Sequence, residues 1–236
     1  MILLILFSSE LKAKSLESKS FGDVKPLLAE IYLPYTQTFY CGCEYQKKSI
    51  KKCPLNTNKY KKRKKRLEWE HVVPAHAFGH SFKEWREANT LCPKKNKKYS
   101  SKRRCARKLN QTFRAMEADL HNLVPSVGSI NALRSNYSFA EIDTKIKPLC
   151  SNGFRRENRK VMPPENRKGD IARIYFYMDE QYPGHGVVSN KNRKLFQAWD
   201  SIDPVDIYEC AIYHAKVSKG AHEIRSLKEK CQKLKE

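Results

Sequence analysis

Where its positive charge is densest, this chain has no acidic residue at all. Between Lys47 and Arg66, 11 of 20 residues are Lys or Arg, and a second acid-free stretch lies between Glu87 and Glu117. Other absences narrow the reading. After the first few residues no apolar run reaches bilayer-spanning length, and there is neither an internal repeat nor a low-complexity linker. The closest cysteines, Cys41-Gly42-Cys43, have a poor spacing for zinc. His71, His76 and His80 lack the H-E-x-x-H spacing of zincins, so packing or surface roles are expected for them rather than a three-histidine zinc site.

What is present fits an exported, packed globule. The 236 residues are 40% hydrophobic and 11% aromatic, enough for one sizeable domain. The formal charge of +22 and a pI near 9.7 predict attraction to polyanions. Nucleic acid, anionic lipid and acidic glycans all qualify. Residues 1–13 read as a signal peptide, with an apolar core over Met1–Phe7, small and polar residues after it, and a cut after Ala13. They lack a charged start, and the alternative is an apolar strand. Residues 14–236 form the expected mature domain, with basic segments at 47–66 and 94–108. Eight cysteines, an even set, predict up to four disulfides with the pairing open.

Chemistry concentrates at Arg66-Leu-Glu-Trp-Glu-His-Val-Val-Pro74. Alternation makes this a strand, with Leu67, Trp69, His71 and Val73 on one face and Glu68, Glu70 and Val72 on the other. Glu70 and His71 share a site only if the strand ends or bulges there. From Ala75 the apolar residues Phe78, Phe82 and Trp85 recur at near-helical spacing, and Gly79 costs a little if the helix is continuous. The strongest helix pattern runs from Thr112 to Pro125, with Phe113, Met116, Leu120 and Leu123 as its stripe. On that reading Asp119 and Asn122 share a neighbouring helical face. Asp170 is the expected N-cap of a buried helix to Met178, Ser189 to Trp199 is another helix, and Pro204 opens a last one.

Glu-His at a strand end, an Asp-x-x-Asn helix about fifty residues later and two basic blocks together resemble a ββα-metal (His-Me) nuclease finger. The resemblance sharpens over Leu67–Ala75, Met116–Pro125, Asn131–Tyr137, Gly169–Met178 and Asn192–Trp199. These segments, in order, are similar to the bacterial endonuclease I family of periplasmic or secreted non-specific nucleases. The similarity covers roughly residues 40 to 215. It implies an α+β fold: a mostly helical single domain around the finger, stapled by disulfides.

By position, the resemblance makes His71 the general base, and Glu70 and Asn122 the protein ligands of one Mg²⁺. Arg103 or Arg104 is the arginine that stabilises developing charge, and Glu117 and Asp119 support the site from behind. The family's usual Gly-Asn-x-Asn-Pro loop is replaced around Lys219-Gly-Ala-His-Glu223. DNA, single- or double-stranded, is the implied substrate, and the expectation extends to RNA, for a monomer with no membrane partner. The chemistry agrees, because a neutral imidazole accepts a proton near pH 7 and Mg²⁺ needs few protein oxygens. The competing readings are a non-catalytic exported nucleic-acid-binding protein and a basic lectin or membrane-surface binder. Neither requires Glu70, His71 and Asn122 together.

Overall fold

The computed structural model describes residues 16, 18–94 and 100–234. The expected signal peptide and residues 95–99 of the second basic segment lie outside them. In chain order, helix α1 (Lys25–Ile31) is followed by the strand pair β1 (Tyr45–Gln46) and β2 (Ser49–Ile50) and then β3 (Leu67–His71). Short helices α2 (Ala75–Gly79), α3 (Lys83–Arg86) and α4 (Ala88–Leu91) precede α5 (Lys102–Leu109) and α6 (Gln111–Ala118). Strand β4 (Leu123–Val127) runs directly into α7 (Gly128–Arg134). A three-stranded sheet, β5 (Ser138–Phe139), β6 (Arg155–Glu157) and β7 (Lys160–Met162), leads to a helical layer. That layer is α8 (Lys168–Gln181), α9 (Asn190–Ile202), α10 (Ile207–Ser218) and α11 (Arg225–Lys233). The α+β expectation holds.

The segment from Thr112 to Pro125 departs from its expected helix. Asn110 caps the start, its side chain accepting from Phe113 N at 2.9 Å, an interaction typically worth about 1 kcal/mol. The helix then stops at Ala118. Asp119 is extended, and its carboxylate accepts from His121 N at 2.8 Å, a local bond that competes with continuing the helix. Beyond the turn, Leu123–Val127 pairs antiparallel with β3, Glu70 opposite Val124 and Trp69 opposite Pro125. Pro125 is tolerated because, among the described residues, β3 is the only strand partner of β4, so no second ladder asks for its missing donor. Leu123 is buried as the stripe predicted, but as part of a strand that is buried along its whole length. The finger is therefore β3, β4 and α7, not a strand with the Thr112–Pro125 helix.

Smaller expectations also shift. The Phe78–Trp85 segment is two helices joined at a bend, with Trp85 lying so close to Gly79 that a Cβ there would come within 2.5 Å of the indole. Asp170 sits in the first turn of α8, paired with Arg167 and Arg173, rather than at the cap. Pro204 lies ahead of α10, whose N-cap is Asp206. Ser189 caps α9 as the start at that residue implies.

Four disulfides form: Cys41–Cys150, Cys43–Cys53, Cys92–Cys105 and Cys210–Cys231. Cys92–Cys105 fastens the basic helix α5 to the end of α4, so its cations are aimed rather than free. A main core gathers Phe78, Phe113, Phe139, Phe196 and Trp199, and a second joins α1 to Leu120, Leu123 and Ile212. Between them the finger is held from both sides. No helix among the described residues is long and apolar enough to cross a membrane.

Candidate active site

The finger borders a cleft of about 1730 Å³, lined among others by Glu70, His71, Arg103 and Asn131. Lys25, Lys47, Lys48, Arg63 and Arg66 also line it, so the basic segment before β3 walls the place where the chemistry-bearing residues meet. β3 ends at His71. That ending lets neighbouring residues of a two-faced strand reach one cleft.

His71 is buried, and its Nε2 lies 2.8 Å from the backbone oxygen of Glu117. A carbonyl only accepts, so Nε2 carries the proton and Nδ1 keeps its lone pair. Burial, with the nearby Arg103 charge, pushes the imidazole down to about 3, and the ring is neutral at pH 7. Phe21 packs against it with centroids 4.6 Å apart, and Lys25 Nζ sits 4.5 Å from the Phe21 centroid. The segment before α1 thus forms part of the wall.

The Glu117 carboxylate, fully buried, is gripped by Arg103 and Arg107. Burial alone would raise this carboxyl, but the two guanidinium groups hold it below its ordinary value. One residue therefore orients both His71, through its backbone, and Arg103, through its side chain. Arg103 Nη2 is buried without a hydrogen-bond partner. Arg104 is exposed, outside the cleft lining, with its backbone N–H at the Ser101 cap.

Glu70 is the other unfinished group. Arg134 Nε stands 3.1 Å from its Oε1, an ion pair between nearly inaccessible side chains but without hydrogen-bond alignment. Burial lifts the Glu70 carboxyl to about 7, against the pull of Arg134 and Arg103. A buried carboxylate this poorly satisfied suits a hard cation, which prefers oxygen ligands. Among the described residues no group of three or more His, Cys, Asp or Glu is arranged to hold a metal ion, and His76 and His80 simply meet each other at the surface, 3.2 Å apart.

Asn122, expected beside Glu70, is elsewhere. It is fully buried and absent from the cleft lining; its Oδ1 accepts from Val73 N at 2.7 Å and its Nδ2 donates to Val73 O at 3.0 Å. It clamps the chain leaving β3. An amide that does line the cleft, on the helix packed across β3, is Asn131 of α7, whose Nδ2 donates to Glu68 Oε2 at 3.1 Å.

The model of the Endonuclease I family matches residues 26–219. The chain belongs to that family. It is similar to Endonuclease-1 of Buchnera aphidicola subsp. Acyrthosiphon pisum (strain APS), with 36% identity covering 86% of this chain and 77% of that protein. It is also similar to two Aeromonas hydrophila proteins. An extracellular deoxyribonuclease is 36% identical over 83% of each chain, and a periplasmic deoxyribonuclease is 35% identical over 88% of this chain and 84% of its own length.

In this endonuclease the structure joins Glu70, His71 and Arg103 of the residues read from the sequence, and leaves Arg104 and Asn122 out. Asp119 accepts from the Tyr177 and Tyr182 hydroxyls at 2.7 and 2.9 Å, which ties it into the protein body. Asn131, Arg107 and Arg134 were missed. The signal for Asn131 was available: Pro125 and Gly128 break the pattern before it, and in a helix restarting at Gly128 its fourth residue, Asn131, faces back to β3.

Proposed function

We propose that this chain is an exported, Mg²⁺-dependent, sequence-non-specific endonuclease that hydrolyses phosphodiester bonds of single- and double-stranded DNA, and of RNA. The observation that carries the proposal is the pairing of His71, its Nε2 proton committed to Glu117, with a buried Glu70 oxygen that lacks a hydrogen bond. Relatives named as extracellular and periplasmic deoxyribonucleases, with four disulfides here, support export and a DNA substrate.

His71 is the general base, receiving the proton of an attacking water at Nδ1. Its fixed tautomer means that no ring rotation precedes the transfer. Glu70 and Asn131 would hold Mg²⁺, with the Asn131 carbonyl replacing the Asn122 ligand expected from the sequence. Bound there, the ion would neutralise charge on the phosphate and leaving oxygen. Arg103 directs its unpartnered nitrogen to the charge that grows on the phosphoryl oxygens, and Glu117 keeps it from collapsing elsewhere. Lys47, Lys48 and Arg66 draw in the backbone, a contact that reads no sequence.

Plasmid DNA incubated with the oxidised protein, in Mg²⁺ and in EDTA, tests the proposal beside His71→Ala. Nicking that needs the metal and falls by roughly 1000-fold in the variant, within the range for loss of a general base, is expected. Salt-sensitive binding without any cutting would instead leave a nucleic-acid-binding protein.

A further inference from the structure

We propose that Glu68 is a positioning residue of this site: held by Arg63, it locks the Asn131 amide so that the carbonyl, not the NH₂, faces the cleft. The inference rests on the proposal that Asn131 is a metal ligand. An amide side chain has two nearly isosteric ends, and only its oxygen can bind a cation. Something must therefore decide which end is presented.

The register between β3 and α7 supplies that decision. Glu68 and Glu70 stand two apart on one face of the strand, and Asn131 and Arg134 stand three apart on the helix packed across it. Asn131 meets Glu68 while Arg134 meets Glu70. Asn131 Nδ2 donates to Glu68 Oε2, and a flipped amide would turn Oδ1 against that carboxylate. The carboxylate is itself fixed, because Arg63 donates through Nε to Oε1 at 2.9 Å and through Nη2 to Oε2. Its side chain is only 18% exposed.

Gly128 marks the same approach from the helix side. A Cβ there would come within 2.6 Å of Glu68 Oε1 and 2.8 Å of the Arg63 carbonyl. The start of α7 is thus fitted against this pair, and Arg63, one cation among many in the basic segment, is committed to the site instead of to phosphate. Groups that orient a metal ligand typically change metal affinity by 10- to 100-fold.

The test is a thermal-shift titration with Mg²⁺, and Mn²⁺ binding followed by its EPR signal, on the full chain without nucleic acid. Glu68→Ala, Asn131→Ala and the charge control Glu229→Gln, an exposed carboxylate on α11, are compared with wild type. Glu68→Ala is expected to move the metal midpoint up by roughly 10- to 100-fold, with cleavage recovering at saturating Mg²⁺ and DNA affinity in EDTA unchanged. Glu229→Gln is expected to leave the midpoint where it is. A wild-type midpoint in Glu68→Ala would overturn the proposal. So would metal binding that is abolished and never recovers, since Glu68 would then be a ligand. If Asn131→Ala keeps the wild-type midpoint, the underlying assignment of Asn131 fails, whatever Glu68 does.

Discussion

Arg173 and Arg103 are both drawn into carboxylates, yet they are finished differently. Arg173, in the helical layer, uses all five of its N–H donors. They go to both Glu209 oxygens, to Asp200, to Asp170 and to the Asp203 carbonyl. Arg103, at the cleft, spends Nε on Glu117 and leaves Nη2 buried with nothing to bond. The first cluster closes on itself and fixes α8 against α9 and α10. The second stays open toward the place where a charged ligand would sit. Beside it, Glu70 Oε1 is open in the same way. What separates Arg103 and Glu70 from Arg173 is therefore incompleteness rather than charge, and an unmet buried polar group at a cleft is costly unless a ligand completes it.

The contrast predicts two separable losses. Replacing Arg173 by Ala leaves Glu209 buried without its partner and Asp170 with Arg167 alone, and breaking such a network costs about 3–5 kcal/mol. The chemical denaturation midpoint should fall accordingly, while the protein that remains folded cleaves DNA normally. Loss of cleavage by folded Arg173→Ala protein would mean that the helical layer is not merely a support. Replacing Arg103 by Ala should do the reverse. Cleavage is expected to fall roughly 100-fold, about 2.7 kcal/mol in the barrier. Stability should change little, because Arg107 still holds both Glu117 oxygens. Lysine at position 103 should not rescue, since a single ammonium cannot grip Glu117 and reach the cleft at once. Equal destabilisation in both arginine variants would erase the distinction drawn between them.

A smaller effect separates the two asparagines. Asn122→Ala strands the Val73 N–H and carbonyl in the interior and should cost about 2 kcal/mol of stability. Its Mg²⁺ midpoint should match wild type, because the side chain does not line the cleft. Asn131→Ala should behave oppositely, folding normally and needing far more metal. A raised metal requirement in stably folded Asn122→Ala would restore the ligand set expected from the sequence.

Much of this site is legible in the sequence and part of it is misleading, for a physical reason. The strand Leu67–His71 declares itself by alternation, and Glu70-His71 by chemistry. Eight cysteines announce disulfides, but the pairing of Cys92 with Cys105, which fastens the basic segment, was open. The Thr112–Pro125 stretch deceives because Phe113, Met116, Leu120 and Leu123 keep helical spacing across a boundary. Two are buried by a helix, one by the turn after it and one by a strand. Local periodicity cannot register the Asp119 side chain bonding to His121 N, which ends the helix, or that β4, among the described residues, has β3 alone as strand neighbour and so admits Pro125. Once the boundary is misplaced, Asn122 looks like the site's amide and Asn131 looks like a loop residue. Arg103 and Arg104 were indistinguishable for a similar reason: their difference lies in which side of α5 meets Glu117.

The smallest effect expected at neutral pH lies on the closed side of the molecule, at His121. It packs edge-on to Tyr177, donates from Nε2 to the His222 carbonyl at 2.8 Å, and lies below Lys216, whose ammonium sits 3.4 Å from the His121 backbone oxygen. Burial holds this imidazole down at about 4, while in the unfolded chain it titrates near its ordinary value of about 6.5. Between those values the unfolded chain binds the extra proton, so His121 leaves stability intact above about pH 6.5 and subtracts from it as the pH falls toward 4. By pH 4.5 its share is about 2 kcal/mol. Denaturation midpoints of wild type and His121→Gln, measured at pH 7.5 and 4.5, isolate that share from the parallel contribution of His71. The glutamine keeps a donor for the His222 carbonyl and removes the titration. The variant should therefore lose about 2 kcal/mol less than wild type between the two pH values, and an identical loss in both would mean that His121 is not held neutral by its burial.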